Sequence, residues 1–153
     1  MDVFEKLEKL YEMYEGFTYD YLLKLAKEEA DYIYRMVRGR DGEESAKNFV
    51  ISYAAILSVC NFRPSTAEYN FVKEAIPYFN LTENNFRTLG NKLIGDYDVK
   101  MMLREYRKEQ YLDVRFDHAM MLFALCICAS DGDINASQRR FITDFVPLPG
   151  IAE

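Results

Sequence analysis

Asp131 and Asp133, within CASDGDINASQRRFITDFV (Cys128 to Val146), are the acidic side chains whose spacing most invites chemistry. Carboxylate and amide oxygens placed two residues apart in a turn suit a hard cation such as calcium or magnesium. An EF-hand is the first such loop to test, and the count fails. With Asp131 as ligand one, Asp133 and Asn135 take positions three and five, but Ala136 stands where Gly is required and Ile142 where the closing Glu belongs. Moving Asp131 to position three puts Ala129 at position one, which is no better.

A fainter copy of the stretch lies seventy residues upstream as CNFRPSTAEYNFVKEAI, Cys60 to Ile76. The shift lays Asn61 on Asp131, Ser65 on Asn135, Glu68 on Gln138 and Phe71-Val72 on Phe141-Ile142. Each copy follows an apolar run, crosses a polar turn and enters an amphipathic run. The first copy has the Glu without the Asp, and the second has the Asp without the Glu. If two such hairpins pack about an approximate twofold axis, Asp131, Asp133 and Glu68, with Asn61, offer oxygens to one divalent cation: calcium, magnesium, manganese or zinc. The same residues have a structural reading. Ser65 with Glu68, and Asn135 with Gln138, have capping-box spacing, and Asp131-Gly132 is a turn in which Gly tolerates positive φ.

Other chemistry is scarce. There is no phosphate-binding GxxxxGK[ST] loop, GxGxxG, GxSxG elbow or HExxH helix. The one histidine, His118, has no Ser or Cys set beside it by motif, so a half-exposed structural role is expected and an enzyme is not. Cys60, Cys126 and Cys128 sit in apolar runs and read as buried free thiols. The net charge of −6, with bases interleaved among acids as in LREYRKEQ, argues against nucleic-acid binding. The N-terminus shows no signal-peptide pattern, and the longest apolar run, Ala119 to Ala129, is too short for the roughly 20 residues of a bilayer span. The chain is expected to be cytoplasmic.

The elements that must position these residues are helices. A chain of 153 residues, half of them hydrophobic and with only 4 Pro, supports one compact domain over residues 1–153. Helical period predicts a first helix from Val3 to near Gly16, and a second from Thr18 or Asp20 stopped at RGRDG with Gly39 as C-cap. A third opens on an Asp41/Glu44 capping box and runs to Cys60. A fourth runs from about Thr66 with Phe71, Val72, Ala75, Ile76 and Phe79 on its buried face, Pro77 ending or bending its last turn; a fifth runs from Thr82 to Gly95 and a sixth from Asp98. The segment to about Leu112 either continues into the long helix through Ala129 or breaks near Asp113, and the last helix covers Asn135 to Val146. The expectation is an all-α bundle of about seven to eight helices with pseudo-twofold duplicated helix-turn-helix halves, the repeat motifs covering about 49–79 and 119–146. A stripe of Tyr11, Tyr14, Tyr19 and Tyr21 reads as core packing, with a homo-oligomer interface as the alternative.

FALCICASDGDINASQRRFI resembles the TerB-like family of tellurite-resistance and DnaJ-cochaperone-associated helical domains. The family pattern is an apolar helix ending in Ala-Asp-Gly, then a spacer, an aliphatic residue, a capping residue, two spacers and a Glu. Asp131, Gly132, Ile134 and Asn135 follow it, and Gln138 stands where the Glu is expected. The upstream copy keeps Ser65 and Glu68 but has Asn61-Phe62 in place of Asp-Gly. The resemblance implies a pseudo-symmetric helical fold with an acidic patch that binds divalent metal. It also implies a non-enzymatic role beside protein partners in cytoplasmic stress response, often in complexes near membranes.

Overall fold

The computed structural model describes residues 2–60, 65–108 and 113–151, with the side chains of 106–108 excepted. Among these residues there are eight helices and no strand: α1 Val3–Glu15, α2 Tyr19–Asp41, α3 Glu43–Val59, α4 Thr66–Ala75, α5 Glu83–Ile94, α6 Tyr97–Lys108, α7 Val114–Ala129 and α8 Ala136–Phe145. The expected all-α bundle is what the chain forms.

α3 and α7 occupy the centre because their C-terminal halves are apolar nearly all round, Ser58 being the polar exception, and only a buried helix tolerates that. Tyr53–Cys60 and Phe123–Ala129 are buried throughout. α2 lies against both, α5 covers α3, and α1 and α8 pack on α7. α4 sits where α2, α3, α5 and α7 meet, and α6 rests on α5 and α8. α5 packs tightly on α3 at Gly90, where a Cβ would run into the Ala55 carbonyl oxygen. No helix among the described residues is long and apolar enough to cross a membrane.

Three helix boundaries differ from expectation, each for a local reason. α2 does not stop at Gly39 but runs to Asp41, because Gly42 at φ +96° supplies the positive-φ stop and its N–H donates to Arg38 O. Asp41 is therefore the last residue of α2 and cannot cap α3. The expected Asp41/Glu44 box is replaced by Gly42, with Glu43 and Glu44 in the first turn of α3 where the helix dipole favours acids. α6 starts before Asp98, since Asp96 Oδ1 accepts from Asp98 N at 2.8 Å and Val99 N at 3.3 Å. The open question at Asp113 resolves as a break: its side chain accepts from Phe116 N at 2.6 Å and begins α7. α4 ends at Ala75, just before Pro77, as the sequence predicts.

The duplication is visible in the element ends. Subtracting seventy from α8 gives Thr66–Ala75, the span of α4, and subtracting it from the last residue of α7 gives Val59, the last of α3.

Candidate functional site

Each copy begins its second helix with the predicted cap. In α4 the Ser65 hydroxyl accepts from Glu68 N at 3.0 Å and donates to Glu68 Oε1 at 3.2 Å. In α8 the box is reciprocal: Gln138 N donates to Asn135 Oδ1 at 3.0 Å, and Asn135 N donates to Gln138 Oε1 at 2.9 Å. The two helix starts then meet. Gln138 Nε2 donates to Glu68 Oε2 at 3.3 Å, and both side chains are 0% exposed. A buried carboxylate is tolerated only when its charge is compensated. The Gln138 amide contributes to this, and Glu68 also stands in the first turn of α4, at the positive end of that helix dipole.

Asp131 and Asp133 are placed differently. Gly132 adopts φ +98° and donates its N–H to Ala129 O at 2.9 Å, which turns the chain out of α7. Asp131 and Asp133 are both exposed, and Asp131 Oδ1 lies 3.4 Å from Asp133 N. Burial of part of the Asp131 carboxyl pushes its pKa above the usual range, and the nearby Asp133 adds to that. Ile134, 1% exposed, plugs the turn into the core.

Two α1 acids and Arg139 fasten this turn. Ile134 N donates to Glu15 Oε2 at 3.0 Å, and Arg139 Nε donates to Ile134 O at 2.8 Å. The same guanidinium reaches Glu8 at 2.9 Å and Glu15 at 3.4 Å, and lies 4.7 Å from the Tyr11 ring centre. Sequence spacing gave no sign of this clamp, because its members are more than a hundred residues apart.

Of the four residues expected to share a cation, Glu68 is buried, Asp131 and Asp133 are exposed, and Asn61 lies outside the described residues. Among the described residues no three His, Cys, Asp or Glu side chains converge as ligands. Gln138, where the family pattern has Glu, points an N–H donor at Glu68 Oε2. A hard cation requires oxygen lone pairs there, so this donor set does not fit a divalent ion at Glu68.

A second polar cluster went unnoticed in the sequence. Glu29 lies on the apolar stripe of α2 among Ala26, Ala30 and Ile33, and its two oxygens take a bidentate pair from Arg115 at 2.7 and 3.1 Å. Arg115 also stacks 4.3 Å from the Tyr32 ring centre. An acid inside a hydrophobic stripe was the available signal. Two residues beyond Arg115, half-buried Asp117 is pushed up to about 6, first by burial and then by Asp113, with His118 opposing. Cys60, Cys126 and Cys128 are free and buried, as expected.

No protein-family model, curated protein or solved structure matches the chain.

Proposed function

We propose that this chain is a non-enzymatic helical module of the TerB-like kind, which binds a protein partner in a cytoplasmic stress response such as tellurite resistance. The observation that carries the reading is the Glu68–Gln138 hydrogen bond, which joins two helix starts seventy residues apart. It makes the duplicated turn a single packed unit and leaves Asp131 and Asp133 facing outward. These two acids are assigned to a basic surface of the partner, and a metal at Glu68 is not required. Peripheral association with a membrane complex would then run through that partner.

The test is genetic and biophysical. Deleting the gene in its host should lower tellurite tolerance. Wild type should restore it, and the Asp131→Ala, Asp133→Ala double variant should not. Unchanged tolerance on deletion would sink the pathway, and full complementation by the double variant would sink the site. Calorimetric titration with calcium, magnesium, manganese and zinc should give no saturable heat. A tight site would reinstate the metal reading.

One observation favours a second reading, a homo-oligomeric scaffold. Tyr11 and Tyr14 belong to the core, but Met13, Tyr19 and Tyr21 at the α1–α2 corner are 52%, 39% and 45% exposed. Light scattering that shows only monomer at high concentration rules that reading out.

A further inference from the structure

α5, α6 and α8 come together around a cleft of about 450 Å³, within the usual size of a small-molecule site. Ile94 at the end of α5, with Phe141 and Phe145 on α8, gives it apolar walls. Lys100 from α6 and Arg140 from α8 bring positive charge to the cleft, and Asp144 is the one acid among its described lining residues. Neither cation forms an ion pair among the described residues. Arg104, one turn beyond Lys100 on α6, lies 5.1 Å from the Phe145 ring centre and brings a further unpaired cation alongside. Elsewhere Arg35, Arg87, Arg115 and Arg139 each hold a carboxylate of the chain itself. Free cations beside an apolar wall are complementary to an anion that carries its own apolar body.

We propose that this cleft binds a medium-chain fatty carboxylate, with the tail against Ile94, Phe141 and Phe145 and the head at Lys100 and Arg140. Volume sets the length of the tail. At roughly 30 Å³ per heavy atom in liquid-like packing, decanoate needs about 360 Å³ and fits. Charge sets the head. Lys100 and Arg140 against Asp144 leave the lining with a single surplus positive charge, which suits a carboxylate better than the doubly charged head of a phosphate monoester. The long stems of Lys100 and Arg140 can cover the first methylenes of the tail while their charged ends stay in water with the head. The site shares no residue with the outward-facing Asp131 and Asp133, so it stands or falls apart from the partner-binding reading.

The experiment titrates the folded full chain with sodium decanoate, below the concentration at which it forms micelles, and follows the heat of binding. One saturable site is expected. Hexanoate should bind about 100-fold more weakly, because four methylenes are lost from an apolar wall. Lys100→Met and Arg140→Met should each weaken decanoate about 3- to 10-fold, the range for a charge-assisted contact at a partly exposed site. Ala136→Leu keeps every charge but fills the cleft, and should weaken binding by about 10-fold or more while circular dichroism shows the helices intact. Lys27→Met, far off on α2, should bind like wild type. Absence of saturable heat, decanol or decyltrimethylammonium binding as tightly as decanoate, undiminished binding by Ala136→Leu, or equal losses from Lys27→Met and Lys100→Met would each overturn the proposal.

Discussion

Replacing Gln138 by Glu tests the paired helix starts most directly. In the folded chain the new carboxylate stands where the Gln138 amide now donates to Glu68 Oε2 at 3.3 Å. Two full charges at that separation repel by about 5 kcal/mol at an effective dielectric of about 20. Taking up one proton at about pH 7.5 by a carboxyl of ordinary pKa near 4.3 costs about 4 kcal/mol, so the site protonates instead of holding both charges. The protonated Glu then mimics Gln, with its O–H donating to Glu68 and its carbonyl oxygen accepting from Asn135 N. The pair's upper pKa is thus raised in the folded state above its unfolded value. The associated stability is fully present below the unfolded pKa and is lost as pH rises, by about 1.4 kcal/mol per pH unit. Urea unfolding followed by far-UV circular dichroism should show Gln138→Glu close to wild type at about pH 5 and weaker by about 3 kcal/mol more at about pH 7.5. A variant whose deficit changes by less than about 1 kcal/mol over that range would refute the contact itself. The same variant supplies the oxygen that a divalent ion lacks at Glu68, so manganese or calcium should recover stability at the higher pH.

Gly90→Ala gains about 1 kcal/mol of helix propensity yet should lower stability by about 1–2 kcal/mol net, because its Cβ would meet backbone at Ala55. A thermal melt showing stabilisation would disprove the close α3–α5 approach. Arg139→Ala removes the bond to Ile134 O and the stacking on Tyr11, and should cost about 1–3 kcal/mol, with faster amide exchange at Ile134 than elsewhere in the core. Unchanged exchange at Ile134 would count against the clamp. Asp117→Asn should stabilise the chain above about pH 6, and the gain should vanish as pH falls below about 4, since a carboxyl raised by folding weakens the fold only when ionised. A gain that persists at low pH would show that the carboxylate charge is not its source.

The helices were legible because their signals are local. Thr18, Ser65, Thr82 and Asn135 each begin a helix with a side-chain oxygen accepting an orphan amide, and that depends on residues three apart. Gly39 misled because two glycines three residues apart compete for one helix end, and only backbone geometry decides that Gly42 takes the positive φ. The site was half legible. The offset of seventy correctly paired Glu68 with Gln138, but register alone could not tell that these two side chains touch while Asp131 turns outward. That depends on Ile134 entering the core and on Arg139 and Glu15 holding the turn. Glu29 and Arg115 were hidden for the same reason, being 86 positions apart.

The long-range polar contacts also set a schedule for the chain as it is made. Glu15 waits 119 residues for Ile134 N, Glu29 waits 86 for Arg115, and Glu68 waits 70 for Gln138. At a synthesis rate of about 5–20 residues per second, the Glu68 carboxylate goes roughly 4–14 s without its amide partner. For most of that interval the apolar face of α3 has no complete α7 to cover it. The first half made alone therefore leaves that face open, and the Glu68–Gln138 contact can close only once α8 has been made.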